Sequence, residues 1–171
     1  MLAAVRLVLG IAVFLSLSIA ALSSRASAEE VLPTKPVLTL AAARRVAGAA
    51  EAYAQRRGLG VVVAVMDDSG TLVVLERQGD TQLASVEVAI GKARTAAIFR
   101  RPSGVFEDQI KNGRVAALAL PGATALRGGV PLIYQGRVIG SIGVSGDSPQ
   151  IDEEIASAGA AALAAPTDRS A

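Results

Sequence analysis

Apolar positions along this chain recur in two rhythms, and the change from one to the other marks its elements. From Leu40 to Arg57, Ala43, Val46, Ala47, Ala50, Tyr53 and Ala54 fall at three- and four-residue steps, which predicts a helix with one buried stripe. Thr39 stands where an N-cap is needed, and Gly58 and Gly60 end the pattern. Val61 to Asp67 is a nearly continuous β-branched run, the mark of a strand covered on both faces. Asp68-Ser69-Gly70 reads as a turn, after which Thr71 to Arg77 pairs back as a hairpin, and Gln78 to Thr81 is a loop. Leu83 to Arg100 returns to helical spacing, with Leu83, Val86, Ile90, Ala93 and Ala97 on one face, and Pro102 stops it. Ser103 is placed to cap a short helix through Lys111, closed by Asn112-Gly113.

Val115 to Leu120 reads as a strand and Pro121 to Gly129 as a glycine-containing loop. Pro131 to Gln135 and Arg137 to Val144 form a second hairpin about Gln135-Gly136. Gly140 and Gly143 punctuate its return strand, where glycine marks a bulge or a close approach. Ser148-Pro149 opens a last helix, with Asp152, Glu153 and Glu154 in its first turns, where the helix dipole favours carboxylates. Strands joined by short turns pair antiparallel. The expected fold is therefore α+β, one five-stranded antiparallel sheet with helices packed on it.

The ends of the chain change the charge balance. Arg6, the apolar run Leu7–Leu22 and Ala26-Ser27-Ala28 have the order of a cleavable export signal over residues 1–28, which implies a periplasmic or secreted protein. Residues 29–37 form a polar tether, 38–165 the domain and 166–171 a tail. The whole chain carries 17 basic and 15 acidic residues; removing Arg6 and Arg25 with the signal leaves 15 of each. A neutral mature chain argues against a nucleic-acid partner.

The inventory excludes much chemistry. The sequence has no His, Cys or Trp, which removes His-based triads, Cys–His pairs and ordinary zinc sites. The glycines of Gly140–Gly146 lie inside a strand, not between a strand and a helix, so they make no dinucleotide fingerprint. Asp67-Asp68 and Asp152-Glu153-Glu154 read as a turn pair and a dipole complement. Lys92 borders a buried stripe, and a lysine there takes either a carboxylate or a ligand anion as partner. Lys92, Phe99, Ser103 and the Thr124–Gly129 loop are expected to line a small pocket, with Gly140 and Gly143 leaving room and the Ser103–Gly104 amides offering an anion site.

Two stretches carry a resemblance: GGVPLIYQGRVIGSIGVSGDSPQIDEEIASAGAAAL (128–163) and KARTAAIFRRPS (92–103). Both resemble the GlcG/HbpS-like family, often called haem-degrading, and the likeness extends over residues 38 to 165. The resemblance implies a profilin- or sensor-domain-like fold, a homo-oligomer, and haem binding, with slow haem breakdown in some members and a membrane sensor as a possible partner. Without His, the axial ligand falls to Tyr53, Tyr134, Met66 or a hydroxyl such as Thr124. Lys92, Arg100, Arg101 and Arg127 are the cations for the propionates. Two other functions remain open: a module binding a small organic acid, as the family's occurrence with glycolate and diol metabolism suggests, and a ligand-free oligomerisation module.

Overall fold

The computed structural model describes residues 31–164. The expected export signal and the tail 166–171 lie outside the described residues. Val31–Thr34 are exposed, without regular structure; the elements below belong to the unit that begins at Lys35.

Helix α1 spans Leu40–Arg56. Thr39 caps it, its side chain accepting from the Ala42 amide at 3.2 Å. Gly58 takes φ +69° after its end, and the amides of Gly58 and Leu59 close back on Gln55 and Ala54, a Schellman stop. Strands β1 (Val62–Asp67) and β2 (Leu72–Arg77) form the first hairpin. Helix α2 spans Ser85–Phe99 and helix α3 Gly104–Lys111. The second hairpin is β3 (Gly129–Tyr134) and β4 (Arg137–Ser145). Gln135 and Gly136 both have positive φ, 48° and 74°, as a two-residue hairpin turn requires. Helix α4 spans Pro149–Ala161.

The sheet has four strands in the order β2-β1-β4-β3, all antiparallel. The expected fifth strand is absent from the described residues, because Val115–Ala119 is a turn of 3₁₀ helix with Val115 and Leu118 exposed. Its alanines offer no β-branched face to pair, and Gly113 at φ 92° turns the chain just before it. Pro131 lies in β3, an edge strand that can spare the missing donor.

The inner strand β1 is buried on both faces, as its composition requires. Val63 and Val65 pack with α1 and α4 in the larger core, while Val62, Ala64 and Met66 pack with Ala89 and Ala93 of α2. The result is a sheet between two helical layers. Small side chains bring α2 unusually near the sheet: a Cβ on Gly143 would collide with the Ala89 carbonyl and stand 2.5 Å from the Ala93 amide nitrogen. Helix α2 begins two residues later than its spacing suggests, and Leu83 is 74% exposed. Its buried face is broader than the expected stripe and includes Lys92, Thr95 and Ala96, because the 124–129 loop and α4 cover it as well.

Candidate functional site

The sequence places its pocket where the end of α2 meets the second hairpin, and the structure does bring these segments together. Lys92 is 3% exposed and pairs at 2.7 Å with Asp152, itself 2% exposed, while also donating to the Val144 carbonyl at 3.0 Å. Of its two possible partners, Lys92 therefore has the carboxylate. Burial pushes the Asp152 carboxyl above the usual range, and Lys92 together with the Asp147 amide pulls it back. Asp152 thus works across the fold, beyond the dipole role read from its position.

Ser103 does not cap α3. Its backbone is already helical, and its hydroxyl donates to the Leu126 carbonyl at 2.6 Å and accepts from the Gly129 amide at 2.8 Å, stitching the loop to the helix junction. Thr95 accepts the Thr124 amide at 2.7 Å, and the Thr124 side chain rests on Gly91, where a Cβ would displace it. Arg127 grips both carboxylate oxygens of Asp108 at 2.7 Å and Glu153 at 2.5 Å, and its amide donates to Glu107 at 2.6 Å. These carboxylates hold the guanidinium above its ordinary range.

The expected room is filled. Where Gly129, Gly140 and Gly143 lack side chains, the Lys92 carbonyl, the Met66 carbonyl and the Ala89 carbonyl lie against them. The glycines admit α2 and a neighbouring strand in place of the expected room. Phe99 packs edge-on against Phe106 with centroids 5.0 Å apart, and Arg101 lies 6.0 Å over Phe106 with its Nε donating to the Phe99 carbonyl. Tyr134 and Gly140 sit apart from this cluster, toward the other end of β4: Tyr134 pairs with Arg137 beside the turn.

Open space is found at that turn. One hollow of about 300 Å³ is lined by Pro36, Val37, Ala42, Tyr134, Ile139 and Leu163, with Arg45 at its side. Tyr134 is 44% exposed there. A second hollow of about 320 Å³ shares Pro36 and Ile139 with the first and carries Lys35, Arg100 and Arg137. Arg100 is brought to it by a left-handed residue at the end of α2, φ 54°. Lys35 pairs with Asp68 at 2.7 Å, whereas Arg100 and Arg137 form no ion pair among the described residues. Asp68 lines the second hollow too, so a phenol in an apolar hollow near two guanidiniums that Asp68 does not pair, Arg100 and Arg137, suits a flat, largely apolar ligand that carries carboxylates.

The other candidate ligands are less available. Met66 is fully buried in the core beneath α2, and Tyr53 lies under Arg56 and Arg57 with its hydroxyl 3.5 Å from Glu154. Sequence reading took residues 29–37 as a tether and so missed Lys35, Pro36 and Val37; it also passed over Arg137, whose only signal is its place directly after Gly136. Among the described residues no group of three or more carboxylates could hold a metal ion.

Comparison with known proteins gives a consistent set of relatives. A family model described as "Haem degrading protein HbpS-like" matches residues 38–161. The Protein GlcG of Escherichia coli K12 is 38% identical over 114 residues, covering 67% of this chain and 85% of that protein. A crystal structure of a double mutant of Streptomyces reticuli HbpS superposes with TM-score 0.73 at 33% identity, covering 84% of this chain and 98% of that one. The structure of a PduOC:heme complex superposes with TM-score 0.68 at 30% identity, covering 74% of this chain and 95% of that one.

Proposed function

This chain belongs to the HbpS-like family of haem-degrading proteins, and from that premise we propose that it binds haem at the end of its second hairpin. The observation that carries the reading is the placement of Tyr134 in an apolar hollow that shares Pro36 and Ile139 with a second hollow holding Lys35, Asp68, Arg100 and Arg137. The residues fit the group. A phenolate oxygen is an iron ligand in proteins that lack a His for the purpose. Guanidinium and ammonium groups suit the propionates, and Val37, Ala42, Ile139 and Leu163 give the macrocycle an apolar wall. Bound haem would supply a redox-active iron with a strong visible absorption. The chain's own part is to orient the group and to neutralise its carboxylates. A haem complex in a relative of the same fold supports this reading.

The proposal includes an exported protein, supported by the apolar Leu7–Leu22 run and the Ala26-Ser27-Ala28 pattern. It also includes a homo-oligomer that hands information to a membrane sensor; the exposed Leu83, Val115 and Leu118 supply apolar surface for assembly. A second reading has one observation in its favour: Arg100 and Arg137, which form no ion pair among the described residues, also suit a small organic acid.

Haemin titration distinguishes them. The wild-type protein develops a Soret band with saturation. Tyr134→Phe shifts and weakens that band, whereas Thr124→Ala leaves it unchanged. Arg137→Glu weakens binding and flattens its salt dependence. If Thr124→Ala removes the band and Tyr134→Phe does not, the iron is held at the α2–loop contact and the hairpin site is wrong. If haemin gives no band while glycolate raises the unfolding temperature, the organic-acid reading replaces it.

A further inference from the structure

A broad, open hollow is remote from the hairpin turn and independent of the haem proposal. It lies between the end of α1, the β2–α2 loop and the residues after β4, and encloses about 760 Å³. Its lining is unlike that of the two hollows above. Gln55, Gln78 and Gln82 bring three carboxamides to it and Asp80 a carboxylate, and no cation or aromatic ring lines it.

The frame is held firmly. The Gln78 amide donates to the Val61 carbonyl at 3.0 Å, and the Val61 amide donates back to the Gln78 side-chain oxygen at 3.3 Å. Thr81 donates to the Gln78 carbonyl through both its amide and its hydroxyl, and Arg77 Nε donates to the Thr81 carbonyl at 3.1 Å. Within this frame the Gln78 Nε2 is buried and has no hydrogen-bond partner. A buried donor left unpaired is unusual in a folded protein, and its neighbourhood is where a missing acceptor belongs. The hollow is also kept open: Gly58 and Gly79 both have positive φ, and no atom lies within 4 Å of where their Cβ atoms would stand.

Carboxamides both donate and accept, as hydroxyls do. A site built from three of them, with one carboxylate and no cation, repels anions and offers no stacking surface to a flat ring. We propose that this hollow binds a neutral polyhydroxylated small molecule, a polyol or a sugar, with Gln78 Nε2, closed to solvent here, uncovered by a small shift of its side chain as the ligand enters and donating to one ligand oxygen.

The test is an NMR titration of the full chain with xylitol and, separately, glucose. The expected result is a saturable shift of the Gln78 side-chain amide and of the Gly58 and Gly79 backbone amides with at least one of them. Gln82→Trp, which fills the hollow from an exposed rim position, abolishes those shifts. Gln78→Glu keeps the acceptor for the Val61 amide but loses the donor, and weakens the apparent affinity about tenfold or more. Absence of saturable shifts with both compounds overturns the proposal. So do equal shifts in Gln82→Trp, or an acetate titration that moves the same signals as strongly.

Discussion

Lys92 illustrates how much of this molecule depends on single buried charges. Its ammonium lies 2.7 Å from the Asp152 carboxylate, with both residues almost wholly inaccessible. Removing one member of such a pair costs far more than the pair contributes, because the survivor is left buried and uncompensated. Lys92→Met is expected to destabilise the protein by about 3–5 kcal/mol at neutral pH. The pH dependence carries the diagnosis. In that variant burial and the Asp147 charge act on Asp152 with only the Asp147 amide against them, so its folded pKa lies above its unfolded value. The variant is then most stable below the unfolded pKa of about 3.9 and loses stability as pH rises through the folded one. Denaturant melts of Lys92→Met at pH 5 and pH 7 check this; an equal deficit at both would mean that packing, not charge, is what Lys92 provides. A basic residue at the edge of an apolar stripe was legible in the sequence, as was the need for an anion. The identity of that anion was not, because Asp152 is 60 residues away and its helix-start position already explained it.

At the scale of elements, the rhythm of side chains gave α1, β1 and the Gln135-Gly136 turn nearly residue for residue, since each has a local cause: a cap, a β-branched run, two positive φ values. The same rhythm failed at Val115–Ala119, where two valine- and leucine-bearing turns of a short alanine run imitate a strand without a partner to pair. Gly140 and Gly143 do mark close approaches, but the room expected beside them for a ligand is taken by the Met66 carbonyl of β1 and the Ala89 carbonyl of α2, a fact that depends wholly on the tertiary fold. The contact between α1 and β2 was likewise invisible. Glu51 of α1 meets Glu76 of β2, and burial first, then the hydrogen bond and charge of Glu76, push the Glu51 carboxyl up to about 7. The Glu51 carboxyl therefore keeps its proton well above the usual carboxylate range. Its folded pKa is raised, so the stabilising contribution is complete below its unfolded value and is lost as pH rises through about 7. A chain without His has no ordinary side chain titrating in that window. Glu51→Gln should therefore raise the unfolding temperature at pH 8 and change it little at pH 5. Thermal melts at the two values decide it, and a parallel shift at both would mean that the Glu51 proton plays no part.

Taken whole, the molecule puts its rigidity and its openings in different places. The α2 side of the sheet is sealed by small residues, the Lys92–Asp152 pair and the Arg127 carboxylate cluster, while the hairpin end leaves two adjoining hollows with exposed cations. Two hollows that share Pro36 and Ile139 act as one site only if a single ligand spans both. That geometry has a thermodynamic consequence. A ligand that binds the native state alone stabilises it by about 2.7 kcal/mol at a hundredfold excess over Kd, a rise of several degrees in Tm for a domain of this size. Haemin at saturation should produce such a rise in the wild-type protein. Because Tyr134 and Arg137 belong to different hollows yet would grip one molecule, each single variant, Tyr134→Phe or Arg137→Glu, should reduce the rise, and the double variant should lose less than the sum of the two, since the second loss falls on a ligand already released from one of its anchors. Calorimetry of the four proteins with and without haemin measures that coupling. Strictly additive losses would mean that the hollows act separately, and a full rise in the double variant would place the haem elsewhere on the molecule.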